Sequence, residues 1–153
     1  MVIIGKNGLS AVVKYMLDLI AIGVAVILLG LPVLLKLCFD AYIWTVGENY
    51  WFLLVFLWVT GLLYLGIVYE LRKMFQYLNQ REPFRRENVA SLRRIAMLAL
   101  VISGMYIVKI AFYISFLTIV VAMGALLVGL LALILAEIFR QAIEVKEEND
   151  LTI

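Results

Sequence analysis

The chain has 153 residues, is 66% hydrophobic with a mean hydropathy of +1.09, and carries a formal net charge of +2. Soluble domains are about 45–50% apolar, so this composition excludes an ordinary soluble globular fold and points to the membrane. The absence of histidine and the single cysteine, Cys38, exclude an internal disulfide, remove the commonest general base and metal ligand together, and leave no ordinary zinc or iron–sulfur ligand set.

Residues 1–13 are short and mildly polar, with Lys6, Asn7 and Ser10. An uncharged apolar run from Leu19 to Leu35 follows, too long for a signal-peptide core and without an Ala-x-Ala cleavage site. It reads as an uncleaved first span over about 12–38. Pro32 lies near its far end, where a kink is tolerable, and Lys36 can snorkel to the headgroups. Asp40 to Tyr50 forms a short outer loop with Asp40 and Glu48 and without Lys or Arg, and Trp44, Tyr50 and Trp51 are rings suited to the headgroup level. The second span covers about 51–71, where Gly61 and Gly66 permit close helix approach.

The stretch from Arg72 to Arg94 holds seven basic residues against two acidic ones, Glu82 and Glu87. A basic island between two membrane-length tracts is a cytoplasmic loop by the positive-inside rule. Leu71, Met74, Phe75 and Leu78 follow i, i+3, i+4, i+7 spacing, so the second helix continues about two turns into the island. Asn79 to Phe84, with Pro83 as breaker, makes the turn. A third helix starts near Arg86 with Val89, Leu92 and Ala96 on one face. The island is therefore expected to be a helical hairpin at 72–94.

From Ile95 to Ala136 the only charge is Lys109. As one helix this tract would be about 63 Å long, twice a bilayer core, so it is two spans, at about 95–114 and 117–139. The turn falls between Lys109 and Thr118, with Tyr113 and Ser115 at the outer surface. Ala125, Gly129, Ala132 and Ala136 form a small-residue stripe that marks close helix packing, against a neighbour in the same chain or in a second copy. The helix is expected to run on through Glu137, Arg140 and Glu144, which can pair at i+3 and i+4. The tail at 140–153 closes in KEENDLTI, with Asn149 or Asp150 as a plausible helix stop and Thr152 and Ile153 favouring extended backbone.

Eleven of the basic residues lie on the side of both termini and the island, and only Lys36 and Lys109 lie on the other. The expected fold is thus all-α, with four transmembrane helices as two hairpins in one domain. Both termini face the cytoplasm of a bacterial cell (inner) membrane.

Two stretches carry a resemblance. They are Pro83-Phe84-Arg85-Arg86-Glu87-Asn88-Val89 followed by Leu92-Arg93-Arg94-Ile95, and Glu147-Glu148-Asn149-Asp150-Leu151-Thr152-Ile153 after Ala136-Glu137-Ile138-Phe139-Arg140. The chain resembles, over essentially its whole length, a family of small bacterial membrane proteins catalogued as domain of unknown function 2975. Many members carry Thr or another N-cap residue where this chain has Arg85, so no capping role is carried over. The family has no established activity. Its members are typically encoded beside a small helix-turn-helix regulator, and the resemblance implies, by association, a membrane protein that communicates with such a partner.

Several charged groups are candidates for function. Asp18 lies within the first span, where an ionisable residue is a functional candidate, but Lys14 one turn away offers an i, i+4 partner. Glu70 and Glu137 read as boundary residues beside Arg72, Lys73 and Arg140. The basic hairpin can set topology and hold anionic lipid headgroups at about 1 kcal/mol per cation. It can instead pair with the acidic tail, or dock a protein. Direct nucleic-acid binding is not expected, since no recognition helix is present.

The expected function is a regulatory membrane protein docking a cytoplasmic partner through Arg81, Pro83, Phe84, Arg85, Arg86, Asn149, Asp150, Leu151 and Ile153. A homo-oligomer is compatible with the small-residue stripe. The alternative is a small transporter or toxin-immunity protein using Asp18, Lys109 and Glu137. No enzyme activity and no cofactor are expected.

Overall fold

The computed structural model describes residues 8–41, 49–79 and 84–152, which form four α-helices: α1 (Leu9–Asp40), α2 (Tyr50–Asn79), α3 (Arg86–Phe112) and α4 (Phe116–Thr152). Each is long and apolar enough to cross a membrane. The third helix stops at Phe112 and the fourth begins at Phe116, so the break expected between Lys109 and Thr118 is there. The turn expected around Pro83 lies outside the described residues. The Arg85 backbone occupies the N-cap position of α3 in an extended conformation, with no side-chain capping bond.

The helices pack in chain order. α1 lies against α2, α2 against α3, and α3 against α4, and among the described residues α1 and α4 make no close backbone approach. An apolar groove of about 550 Å³ separates them, floored by Thr60 and Gly61 of α2 and by Ala99 and Ile102 of α3.

The tightest seam joins α3 and α4. Asn88, Leu92, Ile95, Ala99, Ile102, Tyr106 and Lys109 are all buried, and their alternating steps of four and three are a heptad pattern. On α4, Thr118, Ala122, Gly129, Ala132, Ala136 and Ile143 are buried at the matching interval. A 3.5-residue period keeps one seam facing its partner along the length of both helices. The small residues sit on α4 and the larger ones on α3. A side chain at Gly129 would place its Cβ 2.8 Å from Leu100 and 3.4 Å from the carbonyl of Ala96, so glycine is what permits the approach. The stripe on α4 is thus filled by α3 of the same chain. Where lipid replaces water, association rests on such packing and on interhelical hydrogen bonds. Ser103 Oγ supplies one, donating to the Ala122 carbonyl at 2.9 Å.

The α1–α2 seam is aliphatic, built on Leu28, Leu31, Leu35 and Leu53. Pro32 is accommodated inside a continuous α1, and its carbonyl accepts a bond from Tyr50 Oη at 3.0 Å. One expectation fails at the C-terminus. Neither Asn149 nor Asp150 stops the helix, which continues to Thr152. Lys146, Glu147 and Glu148 are good helix formers, and no Gly or Pro opposes them.

Candidate functional site

The ends of α1 and α3 that start these helices, and the ends of α2 and α4 that finish them, lie together and gather most of the charge. Among the described residues, an ion pair bridges each seam there. Asp18 of α1 pairs with Arg72 of α2. Glu70 of α2 meets Arg94 of α3 at 3.2 Å. Arg86 of α3 meets Glu147 of α4 at 2.9 Å, one Nη donating to both carboxylate oxygens. The island therefore spends three of its arginines on holding four helices in order.

These pairs differ in environment. Glu70 is buried while Arg94 reaches half into the open, so the carboxylate depends on its partner more than the guanidinium does. Arg86 and Glu147 are both more than half exposed, where an ion pair contributes about 0–1 kcal/mol. Asp18 does not close on Lys14, the neighbour expected from helical spacing, but on Arg72 across the seam. A long guanidinium reaching down α2 competes better than a lysine on the same helix, since it joins two elements and offers a planar fork. Glu70, read as a boundary residue beside Arg72 and Lys73, is buried and pairs across the seam with Arg94.

The remaining hairpin residues are engaged as well. The Arg85 guanidinium lies 4.4 Å from the centre of the Tyr77 ring, and its Nε is 3.4 Å from Glu87. Phe84 packs edge-on against Phe139 of α4, ring centres 5.6 Å apart. The Glu87 backbone N–H and then Arg85 hold the Glu87 carboxyl below its ordinary value. On α4, Arg140 bridges Glu137 and Glu144 as the i+3 and i+4 spacing predicts. Of the residues expected to dock a partner, Phe84 and Arg86 are thus brought onto α4. Asp150 and Leu151 stay exposed, and Asn149 lies beside them on the last helical turns. Arg81, Pro83 and Ile153 lie outside the described residues.

At the opposite end Lys109 is buried in the last turn of α3. Its Nζ lies 3.4 Å from Thr118 Oγ1 and 5.5 Å from the centre of the Phe56 ring. Asp18 lies on the α1–α2 seam, Lys109 at the far end of α3, and Glu137 on the exposed side of α4. Among the described residues no group of His, Cys, Asp and Glu is placed to hold a metal ion, and Cys38 is a free, half-buried thiol.

Sequence reasoning missed the Asp18–Arg72 and Glu70–Arg94 pairs because their partners lie 54 and 24 residues apart, whereas pairing of the hairpin with the tail was one of the readings it left open. The available signal was compositional: Asp18 on α1, Glu70 on α2 and Glu137, Glu144, Glu147, Glu148 and Asp150 on α4 near the charged end, matched by arginines on α2 and α3.

Four apolar helices with charge confined to the ends of the bundle define a small helical membrane protein. The chain belongs to the family described as "Protein of unknown function (DUF2975)", whose model matches residues 20–153. It is similar to the uncharacterized membrane protein YoaS of Bacillus subtilis (strain 168), at 24% identity over 155 residues covering 88% of this chain and 96% of that protein. No solved structure matches.

Proposed function

We propose that this chain is a regulatory protein of the bacterial cell membrane whose charged end faces the cytoplasm and docks a cytoplasmic partner, such as a small helix-turn-helix regulator. The observation that carries the reading is the helical end of α4. Residues 137–152 continue as about 24 Å of helix beyond Ala136, packed on α3 as far as Ile143 and Glu147, with Glu148 to Thr152 running past the start of α3. Phe84 and Arg86 clasp this arm to the start of α3. Past Glu147, the exposed Glu148, Asp150 and Leu151 offer an acidic helix end with one large apolar side chain, 86% exposed. Polar surface is scarce in so apolar a chain, and an ordered charged arm is suited to protein contact more than to bilayer insertion. A DNA-binding regulator as the partner is what the family resemblance implies, by association.

Affinity purification of the full chain from native membranes tests this. A small regulator should co-purify with the intact protein and be lost when Asn149 to Ile153 are deleted, with the melting of the membrane domain nearly unchanged. Recovery without such a protein, or binding that survives the deletion, overturns the proposal.

A further inference from the structure

Asp18 and Arg72 close one end of a cleft of about 430 Å³ cut between α1 and α2. Its lining changes character along the helices. Asp18, Tyr69 and Arg72 lie toward the charged end, and Ile22, Leu65 and Val68 lie deeper in the bundle. The two charged side chains are only part-buried, at 32% and 51% exposed. A carboxylate has about four lone-pair sites and a guanidinium five N–H donors, so their mutual contact exhausts neither. Ile22 beside them is 63% exposed while Val68 behind it is buried, so the apolar half is a shallow groove with Val68 as its floor, lined by α1 and α2 alone.

A cleft with both charge signs at its mouth and an aliphatic wall below has the polarity of an amphiphile. A purely anionic headgroup would gain Arg72 but meet Asp18, and like-charge juxtaposition is a means of rejecting a wrong ligand. A zwitterionic headgroup satisfies both. We propose that the α1–α2 cleft binds one zwitterionic phospholipid bearing a primary amine, of the phosphatidylethanolamine type. Its phosphate lies on Arg72, its ammonium on Asp18, and an acyl chain along Ile22, Leu65 and Val68. The ammonium brings three N–H donors to the carboxylate, as a lysine does, whereas the quaternary nitrogen of choline brings none. This separates two headgroups of equal net charge. The inference stands apart from the partner-docking reading and involves a different seam.

The test is retention from an equimolar mixture of phosphatidylethanolamine, phosphatidylcholine and phosphatidylglycerol with identical acyl chains, read by mass spectrometry of the intact full-length protein. Phosphatidylethanolamine should exceed each of the others by roughly fivefold or more, as expected for charge-assisted hydrogen bonds in a half-exposed site. Asp18→Asn should collapse the ethanolamine-over-choline ratio toward one and raise phosphatidylglycerol. Ile22→Trp leaves the ion pair intact and fills the apolar half, so it should lower phosphatidylethanolamine retention in a protein of unchanged helical circular dichroism. Equal retention of the ethanolamine and choline lipids, preference for phosphatidylglycerol in the unaltered chain, or full retention in folded Ile22→Trp each overturns the proposal.

Discussion

Replacing Arg94 by alanine isolates the most dependent of the three cross-seam pairs. Its Nη1 lies 3.2 and 3.4 Å from the two oxygens of Glu70, and Glu70 is only 7% exposed. At an effective dielectric of about 20 the attraction at that separation is roughly 5 kcal/mol, falling to about 1 kcal/mol in bulk water. Arg94 is half in the open, so the net loss lies between, at about 2 kcal/mol. Most of it is the penalty of leaving a buried carboxylate without its cation. Glu70→Leu in the same chain removes that penalty, since replacing a buried pair by apolar volume is often near neutral. The double variant should therefore recover to within about 1 kcal/mol of the starting protein, with the non-additivity measured as a double-mutant cycle. Reversible unfolding in mixed micelles with increasing sodium dodecyl sulfate, followed by circular dichroism, reads all four corners. If Arg94→Ala costs nothing, or the double variant is as unstable as the single, the burial argument for this pair is wrong.

Gly129→Val should destabilise the α3–α4 seam by about 1–3 kcal/mol, as overpacking does, because the added Cβ would lie 2.8 Å from Leu100. Gly104→Ala, whose Cβ would meet nothing within 4 Å, should be neutral or slightly stabilising in the same denaturation series. Glu87 gives a pH dependence: its folded carboxyl lies below the ordinary 4.5, held there first by its own backbone N–H and then by Arg85. That contribution is fully present above pH 4.5 and is lost as pH falls through the lowered folded value. Glu87→Gln should make the stability profile flatter below pH 4.5, and identical slopes for the two proteins would contradict it.

The membrane spans were legible because their signal is local. Length and uninterrupted hydropathy divide 95–136 into two helices without reference to anything else in the chain, and the spacing of Ala125, Gly129, Ala132 and Ala136 marks a packing face before its partner is known. The same locality accounts for what was misread. Lys14 is the sequence neighbour of Asp18, but the side chain that reaches it is Arg72, 54 residues on. Glu70 looks like a boundary residue when only Arg72 and Lys73 are considered, and becomes a buried partner once α3 brings Arg94 across. At the C-terminus, the extended preference of Thr152 was outweighed by the helix-forming run before it. The Arg86–Glu147 contact sits between these cases. Pairing of hairpin and tail was one of three readings that charge alone left open, and it took the antiparallel register of α3 and α4 to bring the two residues together.

The central claim is that the charged end, with the α4 arm, is presented to the cytoplasm. Single cysteines at Asn7, Gln80, Asn149 and Glu48, each in a Cys38→Ala background, measure this directly with a membrane-impermeant thiol reagent in intact cells. The account predicts labelling at Glu48 alone until the cells are permeabilised, and protection at Asn149 in permeabilised membranes when the partner is bound. Labelling at Gln80 or Asn149 in sealed cells would contradict it.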